Sequence, residues 1–286
     1  MDTDTRSRRE ASGVAMLLGS ALSNQTGAAV GSLAFDVIGP VGVVAVRQWV
    51  AGAALLAIGR PRVRAFTRRQ WWPVVGLAAV FGTMNVSLYT AIDRIGLGLA
   101  VTLEFLGPLA VALAGARHRA TIGCAAAAAA GVVLLTRPQP SSDGLGIALG
   151  LLAAACWSAY ILLNRTVGRR IPGVAGSAAA SAASALAYLP IGIAVLLAHP
   201  PTPAALACAA AAGLLASTVP FVVDLLALRR IPAHFFGLFM SVHPVFAAAI
   251  GAVALGEALA ALDWLGIALV VTANAAAVLI RARTTG

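Results

Sequence analysis

Along this chain apolar residues neither alternate with polar ones nor recur on one side of a helical wheel. They run in blocks of about 20, the length that carries a helix through a hydrocarbon layer at 1.5 Å per residue. Charged or proline-containing breaks separate ten such blocks, at Gly13–Ala34, Ile38–Gly59, Trp71–Ile92, Gly96–Ala116, Ala120–Thr136, Gly144–Asn164, Gly173–Ala198, Ala204–Leu228, Ala233–Leu255 and Leu259–Ile280. Segments immersed in lipid must satisfy their own backbone amides, so each block is expected as a helix. A closed barrel would instead show alternating strands of about ten residues. The first block follows Arg6, Arg8 and Arg9 as a secretory leader would, but it has a full span's length and carries Ser20, Ser23, Asn24 and Gln25. It is expected to be a retained first helix.

Composition removes the soluble alternative. The 286 residues are 60% hydrophobic and 10% charged, with a mean hydropathy of +0.92, whereas a water-facing surface needs roughly a quarter of its residues charged. The net charge of +10 comes from twenty arginines and no lysine, a codon bias that points to a GC-rich bacterial source. These arginines cluster between apolar blocks rather than on one basic face, so the charge marks membrane topology and not a nucleic-acid partner. With the N-terminus inside, seventeen of the twenty fall in segments expected to be cytoplasmic; only Arg94 and Arg137 fall outside, and Arg47 lies within the second block. The expected architecture is therefore an all-α protein of ten transmembrane helices with both termini cytoplasmic, a multi-pass component of a bacterial inner membrane. Arg68, Arg69, Trp71 and Trp72 read as an interfacial anchor. Cys124, Cys156 and Cys208 lie in apolar blocks and are assigned to packing rather than to disulfides.

The chain also echoes itself. Ala91-Ile92-Asp93-Arg94-Ile95 is answered by Ala227-Leu228-Arg229-Arg230-Ile231, and Leu106-Gly107-Pro108-Leu109 by Val242-His243-Pro244-Val245, both at an offset of 136 residues. These echoes divide the molecule into a tail (1–12), a first five-helix unit (13–138), a second (139–281) and a short tail (282–286). Five is odd, so the second unit enters the membrane from the opposite side, as in transporters built from inverted repeats.

Polar residues inside the blocks are the candidates for chemistry. A charge in mid-membrane costs from about 2.5 to more than 10 kcal/mol, so Glu104 in the fourth block must be paired, protonated or facing water. Arg47 has a planar fork suited to a carboxylate, either that of a substrate or that of Glu104; together the two could hold a zwitterion. Pro108 and Pro244 free the carbonyls of Glu104 and Met240 and are expected helix breaks at the midplane. His243 stands where the first unit has Gly107 and could bind substrate or exchange protons; Glu104 shares that proton-coupling assignment. Asn85, Tyr89, Trp157 and Tyr160 complete the expected substrate site, with Asn24 and Gln25 as further polar surface; any of these can instead simply join helices. Asp224 reads equally as a gate or an interfacial anchor.

Enzyme chemistry finds no footing. His118 and His199 fall in loops, Ser241 and His243 face apart on one helix, and the chain has neither an HExxH nor a Walker-type loop. No catalytic residue, metal or cofactor is expected.

The stretches GVVAVRQWVAGAALL (Gly42–Leu56), AVTLEFLGPLAVAL (Ala100–Leu113), AACWSAYILLNR (Ala154–Arg165) and Ser217–Glu257, ending in LGE, resemble the drug/metabolite transporter superfamily of EamA type, and within it the bacterial inner-membrane threonine and homoserine exporters. The resemblance covers nearly the whole chain. It implies a five-plus-five inverted fold and secondary active export of a small polar metabolite such as an amino acid, with protons and the bilayer as partners. It also implies that Glu257, a residue family members share, sits at an external helix end where it caps or takes part in transport. Members often carry Glu-Pro where this chain has His243-Pro244, which changes both charge and proton affinity there. A same-fold rival, export of lipophilic or quaternary cations, would want an aromatic cage and no arginine beside it.

Overall fold

The computed structural model describes residues 2–114, 119–136, 143–171, 174–227 and 240–285. Among them the chain forms twelve α-helices, a short 3₁₀ turn and one π-helical segment. In order these are α1 (Asp2–Ser32), α2 (Phe35–Gly59), α3 (Arg68–Ile95), α4 (Leu97–Glu104), α5 (Leu106–Leu113), α6 (Arg119–Thr136), α7 (Gly144–Arg170), α8 (Ala175–Ala198), α9 (Pro203–Gly213), the π segment Leu214–Thr218, α10 (Val219–Ala227), α11 (His243–Ala254) and α12 (Ala261–Thr285). Five stretches are long and apolar enough to cross a membrane: Phe35–Gly59, Arg68–Ile95, Gly144–Arg170, Ala175–Ala198 and Pro203–Asp224. Shorter apolar helices accompany them at Leu97–Val111, Ile122–Leu135, His243–Ala254 and Ala261–Ala277.

Several helices outrun their apolar blocks, because hydrophobicity ends where lipid ends but helical hydrogen bonding does not. α1 begins eleven residues before Gly13, and α7 continues past Asn164 to Arg170, carrying its basic residues in the last turn. α2 contains a bend: Gly39, at φ +66°, breaks the helix just before Pro40, whose fixed φ starts the long segment that carries Arg47. The fourth and eighth blocks are each interrupted. Arg117, His118, Arg137, Arg229 and Arg230 lie outside the described residues.

The packing partners exchange consistently between the two ends of the chain. α3 packs on α7, and α1 on the α9–α10 stretch; α2 packs on α9, and α8 on α3; α4 packs on α7, and α11 on α1. α2–α8, α4–α11 and α6–α12 pair directly. Apolar side chains gain little by leaving lipid for protein, so close backbone approach must supply the attraction. At the α6–α12 crossing Gly131 and Gly266 face each other's carbonyls, beside a core of Leu109, Cys124, Ala128, Ala273 and Ala277. The central core gathers Val43, Val44, Tyr89, Leu97 and Ala247 from four helices, together with Phe105 at the end of α4.

α3 and α7 are additionally tied at both ends. At one, Arg170 donates to the Arg69 carbonyl at 2.6 Å and lies 5.3 Å over the Trp72 ring, while Gln70 donates to the Arg170 carbonyl at 2.9 Å. At the other, Arg94 pairs with Asp143 at 2.9 Å. Arg69 and Trp72, two of the residues expected as an interfacial anchor, thus take part in joining two helices.

Candidate functional site

Three prolines shape the interior. Pro108 has no N–H to offer the Glu104 carbonyl, and the helix is interrupted at Phe105, leaving α4 and α5 with eight residues each. A turn at Ser241–Val242 likewise precedes α11 and Pro244. Each interruption begins three residues before its proline, and the two are separated by the same 136-residue offset as the sequence echo.

Pro220 carries the same signal, although it is not among the residues singled out above. Its missing N–H deprives the Ala216 carbonyl of an α-helical partner and the Leu215 carbonyl of a π-helical one. Side chains from two other helices take their place. Ser23 of α1 donates to the Leu215 carbonyl at 2.8 Å, and Arg47 Nη2 of α2 donates to that of Ala216 at 3.1 Å. Arg47 Nε also donates to Ser217 Oγ at 3.0 Å, and the guanidinium lies 4.8 Å over the Tyr89 ring. These contacts account for an arginine that is only 7% exposed. Its Nη1 has no hydrogen-bond partner.

Glu104, 5% exposed, ends α4 at the break. It lies within the electrostatic range of Arg47, yet no direct salt bridge joins them, because the guanidinium is turned toward the π segment. A carboxylate and an unspent guanidinium edge in one buried region can hold the two ends of a zwitterion. On the far side of the break, Phe105 lies edge-on to Trp157 at 4.5 Å and tilted on His243 at 5.4 Å. Trp157 comes from α7, where Gly107 of α5 meets the Ala154 carbonyl with no room for a side chain, and Ser158 donates to the Gly107 carbonyl at 2.9 Å. Asn274 of α12 donates to the Phe105 carbonyl at 3.4 Å.

Glu257 holds the other end of α4. Its Oε1 accepts from the Leu97 amide at 2.5 Å and its Oε2 from that of Gly98 at 3.2 Å, while its own amide donates to the Gly251 carbonyl at 3.0 Å. One residue thus closes the C-terminus of α11 and caps the N-terminus of α4, where a carboxylate suits the helix dipole. Gly96, at φ +82°, makes the preceding turn and packs against that carboxylate.

Comparison with known proteins now bears on this geometry. The model of the EamA-like transporter family matches residues 144–279. The threonine/homoserine exporter RhtA of Escherichia coli (strain K12) is 34% identical over 268 residues, covering 91% of this chain and 89% of the exporter. The chain belongs to the EamA-like transporter family. The RhtA of Salmonella typhimurium (strain LT2) is likewise 34% identical over 268 residues, covering the same 91% and 89%. The uncharacterized transporter YwfM of Bacillus subtilis (strain 168) is 26% identical over 250 residues, 84% of either chain. A crystal structure at 21% identity superposes with a TM-score of 0.62 over 96% of this chain and 99% of its own, and shares the fold.

In this EamA-like transporter, Arg47 lies over Tyr89 and within electrostatic range of Glu104, while Trp157 and His243 both pack on Phe105, the residue at the α4–α5 break. Asn85 and Tyr160 make other contacts. Asn85 donates back to the Phe81 carbonyl of its own helix at 2.7 Å, and Tyr160 packs on Phe81 at 6.2 Å, within electrostatic range of Asp224. Gln25, noted above only as polar surface, lies 3.1 Å from His243. Ser217 was also missed, and a neutral polar residue in an apolar helix gives no signal of its own; Pro220 three residues later does. Among the described residues no group of three or more His, Cys, Asp or Glu side chains could hold a metal ion.

Proposed function

We propose that this chain is a secondary active exporter of a small polar metabolite, an amino acid of the threonine/homoserine class, working by alternating access with proton antiport in a bacterial inner membrane. The observation that carries this reading is that Glu104 and an Arg47 guanidinium with an unpartnered Nη1 are both buried and within electrostatic range of each other, with no salt bridge between them. The guanidinium takes a substrate carboxylate bidentately or by one edge. Glu104 takes the ammonium in one state and a proton in the other, which is how export is coupled to proton entry. The names of the exporters at 34% identity point the same way.

The architecture of this reading is ten spans, both termini cytoplasmic, as two inverted units at 13–138 and 139–281. The exchange of packing partners between the ends of the chain and the matched breaks at Phe105 and Ser241 support it. A cation-exporting site would need free aromatic faces; here Tyr89 is covered by Arg47 and Phe105 by His243.

The test is uptake of labelled threonine and homoserine into inverted vesicles, with and without an imposed pH gradient. Gradient-driven uptake is expected from the parent chain, and Glu104→Gln is expected to abolish it while protein still reaches the membrane. Uptake of lipophilic dyes without amino acids would overturn the reading.

A further inference from the structure

The stretch joining α2 to α3 carries Arg60, Arg62, Arg64, Arg68 and Arg69, and the last turns of α7 carry Arg165, Arg169 and Arg170. All eight are exposed. Arg69 and Arg170 are 101 residues apart in the chain, yet the fold sets the two groups side by side, through the bonds of Arg170 to the Arg69 carbonyl and of Gln70 to the Arg170 carbonyl. Beneath both, Phe66 of the connecting stretch packs on an apolar core that includes Val74 of α3, Val167 of α7 and Ala179 of α8. Arg60 and Arg170 spend donors on the carbonyls of Ala57 and Arg69. Arg62, Arg64, Arg165 and Arg169 donate to no group among the described residues and keep their forks for a ligand.

The helices that carry this surface hold no acid near it. No aspartate or glutamate stands between Asp36 and Asp93, or between Asp143 and Asp224. Asp36, Asp93 and Asp143 sit at the far ends of α2, α3 and α7, at least about 33 Å along the helix from the nearest of these arginines, several times the screening length of about 8 Å. Asp224 of α10, within electrostatic range of the Tyr160 hydroxyl, sets one carboxylate against eight guanidinium groups. Apolar side chains share the same face. Val63, in the 3₁₀ turn, is 37% exposed, and Trp72, under the Arg170 guanidinium, is 55% exposed. The long apolar helices end here, at the level where hydrocarbon gives way to headgroups. A surface that asks for anionic charge and hydrocarbon together fits a phospholipid: its acyl chains meet Trp72 and Val63, and its phosphate meets planar forks that bind such oxygens bidentately. A nucleic acid offers the charge without the hydrocarbon.

We propose that this face is a binding site for anionic phospholipid headgroups, with Arg62, Arg64, Arg165 and Arg169 as the phosphate ligands beside the Arg170–Trp72 stack. Marking topology requires only that positive charge stay on one side of the membrane; it does not require arginines a hundred residues apart to be assembled over a shared core. A headgroup held between the two groups bridges segments from different parts of the chain and reinforces the α3–α7 tie at this end. The site stands whichever metabolite the protein carries.

The experiment titrates the purified full-length chain, in a neutral detergent, with phosphatidylglycerol or phosphatidylcholine, and reads bound lipid by native mass spectrometry and stability by melting temperature. Phosphatidylglycerol is expected to bind at least about tenfold more tightly than phosphatidylcholine and to raise the melting temperature. An arginine beside an anionic headgroup contributes about fivefold in binding, so a variant combining Arg62→Gln, Arg64→Gln, Arg165→Gln and Arg169→Gln is expected to lose at least about 100-fold. A variant combining Arg6→Gln, Arg8→Gln, Arg281→Gln and Arg283→Gln removes the same charge elsewhere and is expected to lose less than about threefold, because the attraction dies away within a screening length. Equal losses in the two variants overturn the proposal, since that is what diffuse charge predicts. Should the variants fail to reach the membrane, the parent chain decides with photoreactive phosphatidylglycerol: attachment within residues 60–72 and 165–171 is expected, and attachment confined to other segments overturns the site. Phosphatidylcholine bound as tightly as phosphatidylglycerol overturns it too. Displacement of the lipid by an equal concentration of inorganic phosphate, or of a single-stranded oligonucleotide, overturns the assignment to lipid.

Discussion

Arg47 illustrates how one side chain serves both fold and site. Two of its nitrogens replace a missing backbone donor and hold Ser217, and the third, without a partner, is the one proposed to meet the substrate. Arg47→Ala is expected to destabilise the protein by about 2–3 kcal/mol, because it strands the Ala216 carbonyl and removes charged hydrogen bonds. In a Pro220→Ala background the backbone regains its donor, so the same substitution is expected to cost about 1 kcal/mol less, a coupling that a double-mutant cycle of unfolding in detergent measures. Costly residues were the legible ones at this scale: a lone arginine, a lone glutamate and a histidine before proline stand out against apolar helices. Gln25 stood out only as polar surface and Ser217 not at all, because a neutral amide or hydroxyl costs little in a helix. The sequence also left open whether Arg47 and Glu104 form a closed ion pair, since that depends on which way the guanidinium turns.

Among the elements, α4 has the most to tell. It is eight residues long, about 12 Å, too short to stand alone in a bilayer, and it is held by a cap on one side and the Phe105 break on the other. Glu257→Ala removes that cap and is expected to cost about 1–2 kcal/mol, with Glu257→Gln costing roughly half as much because one acceptor oxygen remains; thermal unfolding in detergent checks both. The interruption of the fourth apolar block follows from Pro108 and the rule for carbonyls four residues back. The π segment follows from the same rule applied to Pro220, but its wider turn does not, since that depends on Ser23 and Arg47 arriving from other helices. Helix ends were the least legible, because the apolar blocks report the thickness of hydrocarbon and the hydrogen bonds of α1 and α7 continue beyond it.

For the molecule as a whole, alternating access requires some helix pairs to part while others stay together. α4 and α11 make a seam that can be locked: a Cβ on Gly98 lies 3.4 Å from that of Ala248, close to the spacing a disulfide needs. In a background lacking Cys124, Cys156 and Cys208, Gly98→Cys with Ala248→Cys is expected to stop exchange on oxidation and restore it on reduction; undiminished exchange in the cross-linked protein would show that this seam does not open. The α3–α7 tie responds to pH. The Gly146 amide, and then Arg94, hold the Asp143 carboxyl below the ordinary carboxylate range, so the unfolded chain takes up that proton first as pH falls. The tie is therefore complete at neutral pH and lost as acid passes through the folded-state value. Asp143→Asn is expected to lower the melting temperature slightly at neutral pH, with the difference closing on acidification.

Because α3 and α7 are riveted at both extremities although they come from different fifths of the polypeptide, the seam of the gene is not a seam of the molecule. Two separately translated pieces, residues 1–138 and 139–286, each expose the surface that the other was built to cover. Co-expressed, they should find one another in the bilayer, co-purify through a tag on either, and regain transport without a peptide bond between them.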